Sequence, residues 1–269
     1  MSNQNDSLGD RMKRYEGVTR NYLTRRMSVV IRIDGKAFHT FTRGFQKPFD
    51  MLLMKTMWET CKYLCANIQG CKIAYTQSDE ISLLLTDYET LTTDAWFENN
   101  IQKMVSVSAS MATLAFNKVF SQQVESLLNE NVRTPEDYEL NKKYYDVIQK
   151  CIYTALFDSR VFNIPKEEVC NYFIWRQQDA SRNSVQMVGR ASFSDKQLYN
   201  KNCDMIQEML FSEKGINWND IPTYQKRGAC IYKETYTLDN GTNAIRTRWI
   251  TDEDIPIFTQ DRDYIEKYL

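Results

Sequence analysis

The chain has one histidine, His39, and no Cys-x-x-Cys pair among its seven cysteines. A structural zinc site or a disulfide scaffold fits that set worse than reduced, packed thiols do. No apolar signal region opens the sequence, and no apolar stretch approaches the ~20 residues of a membrane span. Internal repeats and low-complexity linkers are missing as well. These absences lead to the expectation of a soluble, cytoplasmic protein with no membrane partner. Its 269 residues, 42% of them hydrophobic, suffice for one large core or two modest domains.

A large net charge is also missing, but the value of −1 hides an asymmetry. Residues 1–47 carry ten Lys/Arg against four Asp/Glu, and residues 252–269 carry six acids against two bases. The first group includes Arg11, Lys13, Arg14, Arg20, Arg25 and Arg26, which makes the N-terminal segment a candidate phosphate contact. The competing reading is a solvated helix face.

What the chain does have is two short apolar runs that each end in acid. Val29-Val30-Ile31-Arg32-Ile33-Asp34-Gly35 is the first. Ile73-Ala74-Tyr75-Thr76-Gln77-Ser78-Asp79-Glu80 is the second, followed at once by Ile81 to Leu85. Such β-branched runs, bounded by turn residues, predict buried strands and a hairpin over 73–85 with Asp79 near its tip. A carboxylate at a buried strand end must be paired, hydrogen-bonded or bound to a cation. Asp79 and Glu80 are neighbours and face opposite ways on an extended strand, so only one joins Asp34 unless the turn twists them together. Asp34, Asp79 and the Gly35 carbonyl would suffice for a two-metal phosphoryl-transfer site. Otherwise the acids cap loops or pair with Arg32 and Lys36.

Lys47-Pro48-Phe49-Asp50 reads as a helix start, and Met54, Met57, Trp58, Cys61, Leu64, Cys65 and Ile68 follow at helical spacing. A second amphipathic helix is expected over 94–128, a capping box at Thr134–Asp137, a strand over 151–157 and helices from about Pro165 and over 204–214. Asn240-Gly241 predicts a tight hairpin turn. The element order is that of a split β-α-β module: an α+β fold, an antiparallel sheet with helices on one face, plus a helical and hairpin elaboration. Residues 1–165 would form the core region, with the basic N-terminal segment and an insertion near 131–150. Residues 166–269 would form the elaboration, packed on the same unit.

Four motifs in order go beyond pattern. Arg32-Ile33-Asp34-Gly35-Lys36-Ala37-Phe38-His39, Lys47-Pro48-Phe49-Asp50, Ala74-Tyr75-Thr76-Gln77-Ser78-Asp79-Glu80 and Trp175-Arg176-Gln177-Gln178-Asp179 resemble the histidine-tRNA guanylyltransferase family, over about residues 10 to 235. The resemblance implies a fold like a polymerase palm, acting on tRNA with ATP and GTP, and a homotetramer. It implies two magnesium ions on Asp34, the Gly35 carbonyl and Asp79, with Asp34, Asp79 and Glu80 as the catalytic acids. Lys36, Ala37, Phe38, His39, Lys47, Ser78, Lys103 and Asn183 would lie at nucleotide sites, and Arg25, Arg26, Arg160 and Arg176 would contact tRNA. Without the resemblance, lone His39 reads as a structural hydrogen-bonder. Trp175 reads as core beside Phe173 and Ile174, with base stacking as the alternative.

Eukaryotic members carry His-Ile-Asn-Asn-Leu-Tyr-Asn after the Trp-Arg-Gln motif. Ser181-Arg182-Asn183-Ser184-Val185-Gln186-Met187 stands there instead. That departure resembles the guanylyltransferase-like branch, which favours templated addition in the 3′–5′ direction and repair of truncated tRNA 5′ ends. Untemplated addition of guanosine to histidine tRNA, a palm-type cyclase and a non-catalytic tRNA-binding protein are the competing readings.

Overall fold

The structure, a computed structural model, describes residues 7–237 and 245–269. The strands are β1 (Ser28–Gly35), β2 (Cys71–Gln77), β3 (Glu80–Leu85), β4 (Phe157–Ile164), β5 (Ala229–Thr237) and β6 (Ile245–Asp252). The helices are α1 (Leu8–Gly17), α2 (Phe38–Phe41), α3 (Met51–Asn67), α4 (Ile101–Asn131) and α5 (Pro135–Lys150). After β4 come α6 (Lys166–Ser192), α7 (Asp195–Leu198), α8 (Cys203–Lys214), α9 (Thr223–Arg227) and α10 (Asp263–Glu266).

The strands form one antiparallel sheet in the order β4-β1-β3-β2-β5-β6. Its first four strands have the order of the expected split module. Strand alternation sorts β1 between two cores. Val29, Ile31 and Ile33 face α3 and α4, meeting Met57, Cys61, Leu64, Met104, Phe116 and Phe120. Val30 faces the other way with Ile73 and Leu84, against Val169, Cys170 and Phe173 of α6. The helices of the first region thus share one sheet face, and the helical elaboration closes the second. Burial on both faces is why these strands read as continuous apolar runs.

Local chemistry sets the helix starts. The Asp50 carboxylate caps α3, accepting from the Leu53 amide at 3.1 Å. The expected capping box opens α5, with Thr134 and Asp137 bonded reciprocally. That segment is no loose insertion. Tyr145 and Ile148 enter the core, and the Tyr144 hydroxyl donates to Asp50 at 3.0 Å.

Three expectations shift. The helix expected from 94 begins at Ile101, because Trp96–Asn99 forms a separate 3-10 turn with left-handed Phe97, Glu98 and Asn99. The strand expected over 151–157 is instead a turn, and β4 begins at Phe157. Cys151 and Ile152 pack on the core as the chain leaves α5, so their apolarity marked burial and not extension. The Asn240-Gly241 turn lies outside the described residues, while the strands flanking it pair from Thr237–Ile245 inward. Among the described residues no helix is long and apolar enough to cross a membrane, and all seven cysteines are free thiols.

Candidate active site

The acids gather at one end of β1 and the β2–β3 turn. Register places Asp34 between Glu80 on β3 and Asp158 on β4. Paired residues share a sheet face, so the three carboxylates stand abreast on the face that α6 covers. Ser78 takes a left-handed conformation, φ +51°, and turns the chain. The amide of Gly35 then donates to the Asp79 carbonyl at 3.1 Å, tying the turn to the end of β1. The turn resolves the alternation problem: Asp79 and Glu80 both adjoin Asp34, in different capacities.

Asp79 carries the perturbed carboxyl that faces Asp34. Burial foremost, and then the charge of Asp34, push its carboxyl above the usual carboxylate range, against the Ser78 hydroxyl and His39. The Ser78 hydroxyl donates to it at 3.0 Å. Two like charges facing each other in a partly buried site favour a cation between them. Oxygen donors of this kind suit a hard divalent ion. Among the described residues no group of three or more His, Cys, Asp or Glu is arranged to hold a metal ion by itself. The pair would leave most coordination positions to water and phosphate oxygens, and it fits a divalent cation on that ground.

Glu80 has another job. It is 4% exposed and bound by two arginines. Arg176 Nε and Nη2 donate to its two carboxylate oxygens at 2.7 and 2.9 Å, and Arg32 Nε donates at 3.0 Å. Burial pushes the Glu80 carboxyl up, and the two guanidinium groups oppose the shift. Arg176 also holds Asp179 at 2.8 Å, and Arg182 completes the chain at 2.6 Å. This corrects the expectation for Arg176. With 4% exposure its guanidinium is not offered to tRNA; it neutralises Glu80 beside the acid pair. Removing one partner of such a buried pair typically costs about 3–5 kcal/mol.

Around the acids, Lys36 and His39 are exposed, and Ala37 holds the left-handed cap of α2. The Phe38 ring is buried against Phe41, Phe116 and Phe157, so it anchors the loop and leaves only the residue's backbone to face a nucleotide. Gly35 must stay small for the same reason, since a Cβ there would lie 2.3 Å from that ring. A cavity of about 80 Å³ joins Ser78 to Phe49 and Asp50 at the start of α3 and to Ser184 and Met187 of α6. Lys47 and Asn183 are exposed, two residues before Phe49 and one before Ser184 in its walls.

Other expected contacts are elsewhere. Arg25 donates to Asp87 at 2.7 Å, and the Arg26 amide donates to the same carboxylate. Both precede β1, nine and eight residues from Asp34, up to roughly 26–30 Å along an extended chain. Lys103 lies in the first turn of α4 with its ammonium 5.8 Å over Phe97. Arg160 is exposed on β4, 3.5 Å from Asp158. Ending the expected strand at Asp158 hid its place beside Asp34. The period-two pattern of β4 would have revealed it, had the strand been started at Phe157.

Acids at the end of a palm-like split sheet, with Lys36 close by in sequence, are the arrangement expected of a nucleotidyltransferase. A family profile described as tRNA(His) guanylyltransferase (Thg1) matches residues 9–165. A bacterial tRNA(His) guanylyltransferase (Thg1)-like protein solved in complex with ATP is 50% identical, with 97% of this chain and 98% of that one covered and a TM-score of 0.80. A complex with GTP aligns at 46% identity, over 98% and 99% of the two chains, with a TM-score of 0.76. The tRNA(His) guanylyltransferase of Debaryomyces hansenii is 28% identical over 227 residues, 80% of this chain and 76% of that one. The chain belongs to the tRNA(His) guanylyltransferase family, whose members add nucleotides to tRNA 5′ ends.

Proposed function

We propose that this enzyme adds nucleotides to tRNA 5′ ends in the 3′–5′ direction and copies the opposite strand, as repair of truncated ends requires. The acid pair Asp34–Asp79 is the observation that carries the chemistry. A 5′-monophosphate oxygen would attack the α-phosphorus of ATP or GTP and release pyrophosphate, and the 3′-hydroxyl of the incoming nucleotide would then attack the activated 5′ phosphorus. The activating nucleoside monophosphate would then leave. Asp34, the Gly35 carbonyl and Asp79 would hold two magnesium ions, which lower the pKa of the attacking hydroxyl and neutralise the leaving oxygens. Lys36, Lys47, His39 and Asn183 would border the nucleotides, Lys47 as a compact point charge on a triphosphate. Glu80, fixed by Arg32 and Arg176, would hold the turn that carries Asp79.

Templating is supported by the altered stretch 181–187, whose Ser184 and Met187 line the cavity beside Ser78. The bacterial protein that is 50% identical over nearly the full length is itself described as Thg1-like, the branch to which the altered stretch points. A cytoplasmic homotetramer belongs to the same reading, and sedimentation at working concentration tests the assembly. The deciding experiment is 5′-extension of a tRNA lacking its first nucleotide, with magnesium and each triphosphate supplied separately. Monophosphorylated and triphosphorylated ends are compared while the opposing base is varied. The added base should follow the opposing base. Guanosine added whatever lies opposite would reject templating and leave an untemplated guanylyltransferase.

A further inference from the structure

The apolar neighbours of Trp175 predict a core position for it, yet 49% of its surface is exposed. We propose that it is a stacking platform for one nucleobase at the edge of the catalytic cleft, an inference that rests on the function just described. Its neighbours in space are cationic. The Arg176 guanidinium lies 4.4 Å and that of Arg32 5.9 Å from the ring centroid, and Tyr172 meets it edge-on at 5.9 Å.

Position makes this more than a surface tryptophan. Arg32 is two residues before Asp34 on the same face of β1, about 7 Å along the strand. Arg160, the register partner of Arg32 on β4, is exposed beside Asp158. A large aromatic ring thus stands next to the strand end that carries the acids, with an exposed guanidinium near it. Aromatic surface interleaved with arginine is the chemistry that binds unpaired bases and their phosphates.

The platform is also rigid. Arg176, on which the ring rests, is locked to Glu80 by two hydrogen bonds and to Asp179 by a third. A smaller apolar side chain would cover that ion pair but lose the cation–π contact, and it would offer no ring face to a base.

The base could belong to the tRNA end or to the nucleoside triphosphate, and the test separates these sources. Trp175→Leu keeps an apolar cover over Arg176 and removes the stack, while Trp175→Phe keeps a smaller ring. Two constants are measured: the Kd for 5′-truncated tRNA in EDTA, where no turnover occurs, and the KM for the templated triphosphate. The leucine variant should weaken one of them roughly 5- to 150-fold, and the phenylalanine variant should recover most of the loss. A weaker Kd assigns the base to RNA, and a higher KM assigns it to the nucleotide. Both constants unchanged would overturn the proposal.

Should the leucine variant not fold, photocrosslinking of the wild-type protein keeps the proposal open to failure. The probes are tRNA carrying 5-iodouridine at its first nucleotides, and 5-iodo-UTP. An adduct on Trp175 supports the platform, and adducts confined to other residues reject it. The binding arm needs no catalysis, so it tests Trp175 even in an enzyme that proves untemplated.

Discussion

At Asp79 the fold disfavours the charged carboxylate. Burial and the nearby Asp34 raise the carboxyl pKa in the folded state. The folded chain therefore binds that proton more tightly than the unfolded chain does. The stabilisation is present at low pH and is lost as pH rises from the unfolded value through the raised one, after which the penalty is constant. Removing the charge should consequently help the fold and ruin the chemistry. Asp79→Asn is expected to abolish nucleotide addition and to raise the Tm of the magnesium-free protein at neutral pH. A gain of 1 kcal/mol would appear as about 2–4 °C. Magnesium should raise the Tm of the wild type and not that of the variant. A variant that melts lower than wild type would contradict this account of the pair.

Among the elements, the β1–α2 junction has the least slack. Gly35 ends β1, Ala37 turns left-handed, and Phe38 drops into a cluster of three other aromatic rings. A methyl group at position 35 would stand 2.3 Å from the Phe38 ring, and the rings behind it leave no room to retreat. Overpacking of this kind costs about 1–3 kcal/mol. Gly35→Ala should lower the Tm by several degrees and cut activity even at saturating magnesium. Unchanged melting would mean that the aromatic cluster yields more than its packing implies. From the sequence the strand, its acid and the glycine were legible, because a buried β-branched run ending in Asp-Gly is a local signal. The reason for the glycine was not. It depends on Phe116 and Phe157, which are remote in sequence.

Over the whole length of the chain, charge is segregated although the sum is near zero. Exposed α1 and the segment after it carry Arg11, Lys13 and Arg20, with no α1 residue buried. If this surface holds tRNA phosphates, changing those three residues to glutamine should weaken tRNA binding at low salt. The slope of log K against log salt should also fall, by about 0.7–0.9 for each phosphate no longer neutralised. Addition to a saturating tRNA should change much less. An unaltered salt slope would relieve this segment of any role in RNA binding.

What the sequence determined by itself is whatever has short-range cause. Apolar patterning located β1, β2, β3 and α3, Pro165 marked the approach to α6, and side-chain capping marked the starts of α3 and α5. The ordered motifs named the family before any contact was known. What only the tertiary structure decided has long-range cause. Glu80 and Arg176, 96 residues apart, form a buried pair because α6 crosses the sheet face on which Glu80 points. That contact takes Arg176 out of solvent and leaves its neighbour Trp175 half in it. Asp158 joins Asp34 because β4 returns antiparallel along β1. Residue type and spacing carry no record of which distant partner will neutralise a charge, so the acids could be found in the sequence but their division of labour could not.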